Sequence, residues 1–219
     1  KAVMGQYPEV RLGLLDEVYP AGDEVVLIYE TTGKVVRPGG LPIESGVAVF
    51  NVETVYNVYR ALNEKTPVED KLVSVVAEVE HPITVRVPIG TPLEEVVALA
   101  GGVTTKDAVY FVGGPMMGKT IVNDMFVVDR AMNALTVLPA ANDDAIACLR
   151  CGKCSDHCPS GLQPVRITAA LKANDVDEMS KRGVMSCIEC GMCTYICPSH
   201  IDVTENVRKA KRIVMLKKK

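Results

Sequence analysis

The apolar positions of this chain change their spacing along its length, and each spacing predicts a different element. Glu24 to Glu30 (EVVLIYE) is an apolar run that suits either a strand or a short helix. Gly33 and the Pro38-Gly39-Gly40 turn follow it. Gly46 to Val52 (GVAVFNV) is rich in β-branched residues and predicts a buried strand. From Thr54 to Asn63, Val55, Val58, Tyr59 and Leu62 recur at helical spacing and predict one apolar helix face. Residues 1–66 therefore read as a mixed α/β segment, with a boundary at Pro67.

Beyond that boundary the pattern turns to strands. Leu72 to Val79 and Ile83 to Val87 predict two, joined at His81-Pro82. Pro92 opens a helix over Leu93 to Ala100, with Thr91 as its N-cap and Glu94 and Glu95 in its first turn. Gly101-Gly102 ends it. Val109–Val112, Ile121–Val128 and Ala134–Leu138 predict three further strands, so residues 67–140 suit a small β-grasp-like unit with strands after it. Pro139 to Asp144 reads as a linker. Residues 141–219 then alternate cysteine motifs with helix: a helical stretch over Pro164–Arg182 and a basic helix over Val203–Lys219. The fold class expected is α+β.

Composition narrows the function classes. The 219 residues carry a net charge of −3, and no concentrated basic surface is expected, which argues against a nucleic-acid partner. Trp is absent and there are three Phe, so stacking platforms for bases are not expected. No apolar run reaches the roughly 20 residues that span a bilayer, and the start carries no signal-peptide pattern. The first residue is Lys1, and the chain is expected to be part of a longer one.

The eight cysteines change the picture most. All lie between Cys148 and Cys197. A disulfide scaffold would spread its cysteines, whereas short regular gaps point to metal and to a reducing, cytoplasmic compartment. Cys148-x2-Cys151-x2-Cys154-x3-Cys158-Pro159 recurs as Cys187-x2-Cys190-x2-Cys193-x3-Cys197-Pro198, with Gly152 and Gly191 matching. This is the spacing of two-cluster bacterial ferredoxins, in which the fourth cysteine of each run ligates the other cluster. Cys148, Cys151, Cys154 and Cys197 are thus expected to hold one [4Fe–4S] cluster, and Cys187, Cys190, Cys193 and Cys158 the second. The rival, two Cys₄ zinc sites, uses pairs of C-x2-C and not a triplet followed by Cys-Pro. Thiolate-held clusters do no acid–base chemistry, so electron transfer is the expected role, and no residue stands out as a catalytic acid, base or nucleophile.

Three other features carry less. Gly113 to Thr120 (GGPMMGKT) satisfies the phosphate-loop pattern, yet the β-branched run after it predicts a strand where phosphate binding needs a helix N-terminus. A glycine-rich turn between strands is expected instead. His81 is expected to be exposed, and His157 and His200, beside cluster cysteines, are expected on surface loops. The basic tail (Arg208, Lys209, Lys211, Arg212, Lys217, Lys218, Lys219) is expected to be a solvated helix face, with a membrane surface or an acidic partner as the alternative.

With these motifs in place, the chain resembles the Rnf-type electron-transport family, in particular its cluster-bearing C protein, and the soluble relatives of that protein, including cobalamin reductase. The resemblance rests on GGLPIESGVAVFNVET (Gly39–Thr54), VPIGTPLEEV (Val87–Val96), GGPMMG (Gly113–Gly118), CLRCGKCSDHCP and CIECGMCTYICPSHI. The phrases IECG and CPS are nearer the Rnf protein than the cobalamin reductase. The resemblance implies a flavin- and NADH-binding domain in the full-length parent, of which residues 1–66 are the tail; its glycine-rich flavin loop is missing here. FMN and NADH are therefore expected only in the parent. The middle segment is implied to be a soluble-ligand-binding β-grasp unit (SLBB), read here as a spacer because residues 67–104 show no ligand chemistry. Partners implied are other redox subunits, with peripheral attachment to a membrane complex as one arrangement. A soluble cobalamin-reductase-like carrier and a small-ligand-binding module are the alternatives.

Overall fold

The computed structural model describes residues 7–114, 116, 118–121, 126–140 and 144–217. The chain divides into two compact units, one of residues 50–145 and one that joins residues up to 49 with residues from 146 onward.

The first unit is built on a five-stranded sheet. Its strands are β1 (Asp70–Ala77), β2 (Ile83–Pro88), β3 (Ala108–Val112), β4 (Lys119–Ile121) and β5 (Ala134–Pro139), in the order β2-β1-β5-β3-β4. β1 pairs antiparallel with β2, with Val75 opposite Ile83, and parallel with β5, with Val75 opposite Leu135. β3 pairs antiparallel with both β4 and β5. Alternation sends Val73 and Val75 of β1 and Leu135 and Val137 of β5 inward, where Leu93 and Val96 of a short helix cover them. Lys71 lies on the same inward-facing register of β1, and it is buried because Glu53 pairs with it.

Several sequence expectations needed adjusting. β1 stops at Ala77, whose φ of 76° breaks the extended run before Val79. The helix after β2 spans Leu93–Leu99, and Pro92, not Thr91, stands at its cap position without a side-chain cap. The Thr91 hydroxyl instead donates to the Pro88 carbonyl at 2.8 Å. Gly101 and Gly102 end this helix at positive φ, with the Gly102 N–H closing onto the Val97 carbonyl. The strand expected over Ile121–Val128 is seen only as β4; residues 122–125 lie outside the described residues, and Val127 makes an isolated bridge to Pro92. Residues 141–143 of the linker also lie outside them.

Gly46 to Val52 is not a strand. Gly46 closes a 3₁₀ turn over Pro42–Ser45, Phe50 is 67% exposed, and Asn51 caps the helix α2 (Val52–Tyr59) by accepting from the Glu53 N–H at 2.8 Å. A β-branched run becomes a strand only where a partner supplies its ladder bonds, and no described strand pairs with it. α2 continues as a π-type turn over Arg60–Glu64. Its apolar face at Val55, Val58, Tyr59 and Leu62 is open to solvent.

In the other unit, the ambiguous run at Glu24–Glu30 is helical. α1 (Glu24–Thr32) begins where the Asp23 carboxylate accepts from the Val25 and Val26 N–H groups. The short helix of the first unit is labelled α3 (Leu93–Leu99), and the numbering continues after the sheet with α4 (Lys153–Asp156), α5 (Pro164–Lys172), α6 (Val176–Lys181), α7 (Met192–Tyr195) and α8 (Val203–Lys217). The single stretch expected over Pro164–Arg182 is thus two helices, because Asn174 turns left-handed (φ 53°) and Asp175 recaps the chain for α6. α8 is amphipathic: Val203, Val207, Ala210 and Val214 are buried and pack with Ile167 and Met179. Lys218 and Lys219 lie outside the described residues.

Candidate metal centre

The sequence repeat is repeated in the backbone. Arg150 and Glu189, Gly152 and Gly191, and Gly161 and His200 all take positive φ at matching places in the two motifs. The Gly152 carbonyl accepts from Ser155 and Asp156 as the Gly191 carbonyl accepts from Thr194 and Tyr195. The Cys158 and Cys197 carbonyls accept from Gly161 and His200. Each motif therefore wraps through a left-handed glycine into one short helix, α4 or α7, and these two helices pack together. The longer helices α5 and α8 begin at equivalent distances past each motif, at Pro164 and Val203.

Four thiols line one cavity: Cys187, Cys190 and Cys193 of the second motif and Cys158 of the first. Pro159, Ile188 and Val207 supply apolar walls. The Glu189 N–H donates to Cys187 Sγ at 3.4 Å, and Thr204 Oγ1 lies 3.3 Å from Cys193 Sγ. Burial pushes the Cys187 and Cys190 thiols up and raises Cys193 to about 11, the neighbouring cysteines adding to the effect. These thiols stay protonated without metal, so iron displaces protons as it binds. A soft, all-sulfur donor set in an apolar cavity fits an iron–sulfur cluster and not a hard cation held by oxygen.

The remaining ligand candidates are placed differently. Cys148 and Cys151 are exposed, and Cys154 and Cys197 are partly buried. The segment entering Cys148 is tied to the end of the second motif: the Ile146 N–H donates to the Ser199 carbonyl at 3.1 Å, and the Ser199 hydroxyl donates to the Ala147 carbonyl at 3.2 Å.

Charges around the second motif were not legible from composition. Burial works against the Glu189 carboxylate, but Lys211 and Arg208 hydrogen-bond to it and hold its pKa below the usual range. Lys211 also donates to the Cys187 carbonyl at 2.7 Å. The basic tail is therefore only partly a solvated face: Arg208 and Lys211 brace a cysteine loop, Lys217 pairs with Asp177, and Lys209 and Arg212 are exposed. Tyr19, from the N-terminal segment, donates its hydroxyl to the Cys190 carbonyl. No local pattern singled out Tyr19 or Thr204, since both act through partners distant in sequence or unmatched in the repeat.

His81, His157 and His200 are exposed, as expected. His157 Nδ1 lies 3.0 Å from the Lys153 carbonyl. The run at Gly113–Thr120 joins β3 to β4, and Lys119 begins a strand, as expected. Gly118 closes this turn by donating to the Gly114 carbonyl at 2.7 Å.

Comparison with known proteins gives three partial matches along the chain. Residues 1–60 match the Nuo51 FMN-binding domain, residues 72–120 the SLBB domain, and residues 140–198 the 4Fe-4S dicluster domain. The chain is 41% identical over 168 residues to the cobalamin reductase PduS of Citrobacter freundii and to that of Salmonella typhimurium, covering 70% of this chain and 37% of each relative. It is 34% identical over 171 residues to the C component of the ion-translocating oxidoreductase complex of Rhodobacter capsulatus, covering 76% of this chain and 33% of the relative. Over the aligned lengths the identity is thus higher to the cobalamin reductases, although the cysteine phrases lean towards the Rnf protein. The chain spans about a third of the length of these relatives. The cofactors are [4Fe–4S] clusters. Among the described residues no helix is long and apolar enough to cross a membrane.

Proposed function

We propose that this chain, an Rnf-like segment joining flavin-domain, SLBB and dicluster sequences, relays electrons between a flavin/NADH site in a longer protein and an external acceptor. The clusters supply one-electron storage when bound. Cys187, Cys190, Cys193 and Cys158 hold one, and Cys148, Cys151, Cys154 and Cys197 the other. The observation that carries this assignment is the cavity in which Cys158 faces the three leading cysteines of the other motif. The Ser199 ties to Ile146 and Ala147 support the reciprocal arrangement, since they draw the approach to Cys148 towards the end of the second motif. The segments 1–66, 67–140 and 141–219 are read as flavin-domain tail, β-grasp-like spacer and ferredoxin-like module.

The test is anaerobic purification followed by iron and sulfide analysis. About eight irons per chain are expected from two cubanes. Cys158→Ser should perturb the signal that Cys193→Ser perturbs and spare the one that Cys151→Ser perturbs. Pairing of Cys158→Ser with Cys151→Ser instead overturns the cross-ligation, and a colourless protein with two zincs overturns the electron-transfer reading.

The acceptor separates two versions of the function. In the Rnf-type version the parent sits on the cytoplasmic face of a membrane complex among other redox subunits, and the exposed Lys209 and Arg212 offer it a basic surface. The 41% identity to cobalamin reductases favours a soluble carrier that passes electrons to a corrinoid. Reduction of cob(II)alamin by the NADH-treated parent supports the second version. Co-purification with membranes supports the first.

A further inference from the structure

The two motifs are near copies, but the residues around them are not. The offset that carries Cys148 onto Cys187 and Cys158 onto Cys197 also carries α5 onto α8. It places Val165 at the position of Thr204, the second residue of each helix. Thr204 is only 7% exposed, and its Oγ1 lies 3.3 Å from Cys193 Sγ. Valine has no hydroxyl with which to make the matching contact near Cys154.

We propose that the Thr204 hydroxyl donates a hydrogen bond to the Cys193 sulfur and sets the cluster held by the second motif at the higher potential of the two. This rests on the ligand assignment proposed above. Either atom of the pair is able to donate while Cys193 is a thiol; once Cys193 ligates iron as a thiolate it has no proton, and only Thr204 donates. The geometry is fixed on both sides. The Thr204 N–H donates to Thr194 Oγ1 at 2.8 Å, and the Thr194 hydroxyl lies 2.8 Å from Thr204 Oγ1 and 3.2 Å from Asp202 Oδ1. With the Thr194 hydroxyl donating to Thr204 Oγ1, the shorter of its two contacts, the Thr204 proton is left for the sulfur. Reduction adds one electron and one negative charge, part of which resides on the ligand sulfurs. A hydrogen bond to sulfur strengthens as that charge grows, so it favours the reduced state and raises the potential. Thr204 gives up no proton in this step. It acts on the cluster through Cys193 and is a positioning residue. The consequence is directional: an electron entering the module settles on the cluster of the second motif.

The experiment uses the full chain, purified anaerobically, with iron and sulfide counted and with potentiometric titration read by EPR. Wild type should show two waves. Thr204→Val should move the upper wave to more negative potential by roughly 59 mV, a tenfold change in a one-electron equilibrium, and leave the lower wave in place. Thr204→Ser should keep the wild-type value. If Thr204→Val does not retain both clusters, Thr204→Ala is read in the same way. Two cubanes with an upper wave that neither hydroxyl-free variant moves, or with only the lower wave moved, overturn the role of Thr204 alone. Fewer than two cubanes in the wild type overturn the ligand assignment together with it.

Discussion

The Ser199 hydroxyl donates to the Ala147 carbonyl at 3.2 Å, joining residues 52 positions apart in sequence. Ala147 precedes Cys148 and Ser199 lies two residues past Cys197, so one buried hydroxyl connects the approaches to two cysteines read as ligands of the same cluster.

Loss of that hydroxyl should therefore affect one cluster more than the other. Ser199→Ala leaves the Ala147 carbonyl without this donor, at a cost of about 1 kcal/mol. If clusters are lost through local opening, one of the two should bleach in air on the order of fivefold faster. Visible absorbance and residual iron check this; equal acceleration of both clusters would count against the placement.

Breaking the pair of Glu53 and Lys71 should be costly for the sheet unit. Lys71 is 7% exposed, and Glu53 also accepts from the Leu72 N–H at 3.1 Å. Glu53→Ala should destabilise the protein by about 3 kcal/mol, because it strands a buried ammonium. Adding Lys71→Met should recover much of that loss. Urea midpoints of the single and double variants measure both effects.

Asp70 should contribute a small acid-sensitive part of the stability. The hydrogen bond from Arg86, at 2.7 Å, holds its carboxyl below the usual range against the opposing effect of burial. A depressed folded pKa means that the unfolded chain binds the proton more readily. The contribution is complete above the unfolded pKa, near 4, and is lost as pH falls through the folded value. The pair is partly exposed, so about 0.5 kcal/mol is the scale. The difference in urea midpoint between wild type and Asp70→Asn should shrink as pH drops below about 4; a difference that stays constant would contradict the assignment.

Iron removal should separate the two units. The core around α5, α6 and α8 is small, centred on Ile167, Met179, Val184 and Val207, and Cys158, Cys187, Cys193 and Cys197 pack against it. Cluster binding is therefore coupled to its folding. In iron-free protein, amides over Ile167–Leu171 should exchange quickly, while those of β1 over Asp70–Ala77 stay protected. Equal protection in both places would show that the cysteine module folds without its clusters.

Much of the site was legible because it is local. Ligand spacing, the matched Gly152 and Gly191, and the Gly101-Gly102 stop after the helix that Pro92 precedes all act within a few residues. The expected strand over Gly46–Val52 failed for the complementary reason. Its residues favour a strand, but a ladder partner comes from elsewhere in the chain, and Gly46 and Asn51 impose a turn and a helix cap in its place.

The sequence by itself determined which eight sulfurs are available and how each motif turns, since short-range geometry leaves a C-x2-C-x2-C-x3-C-P run few alternatives. It also determined most strands and helices, through side-chain period and punctuation. Only the tertiary structure decided that β1 lies parallel to β5 and that Lys211 and Arg208 brace Glu189. It alone set Thr204 against Cys193, whereas the repeat offers Val165 at the matching place. These relationships join residues that helix and strand periodicity do not connect. They arise when packed cores bring distant segments to within hydrogen-bond reach.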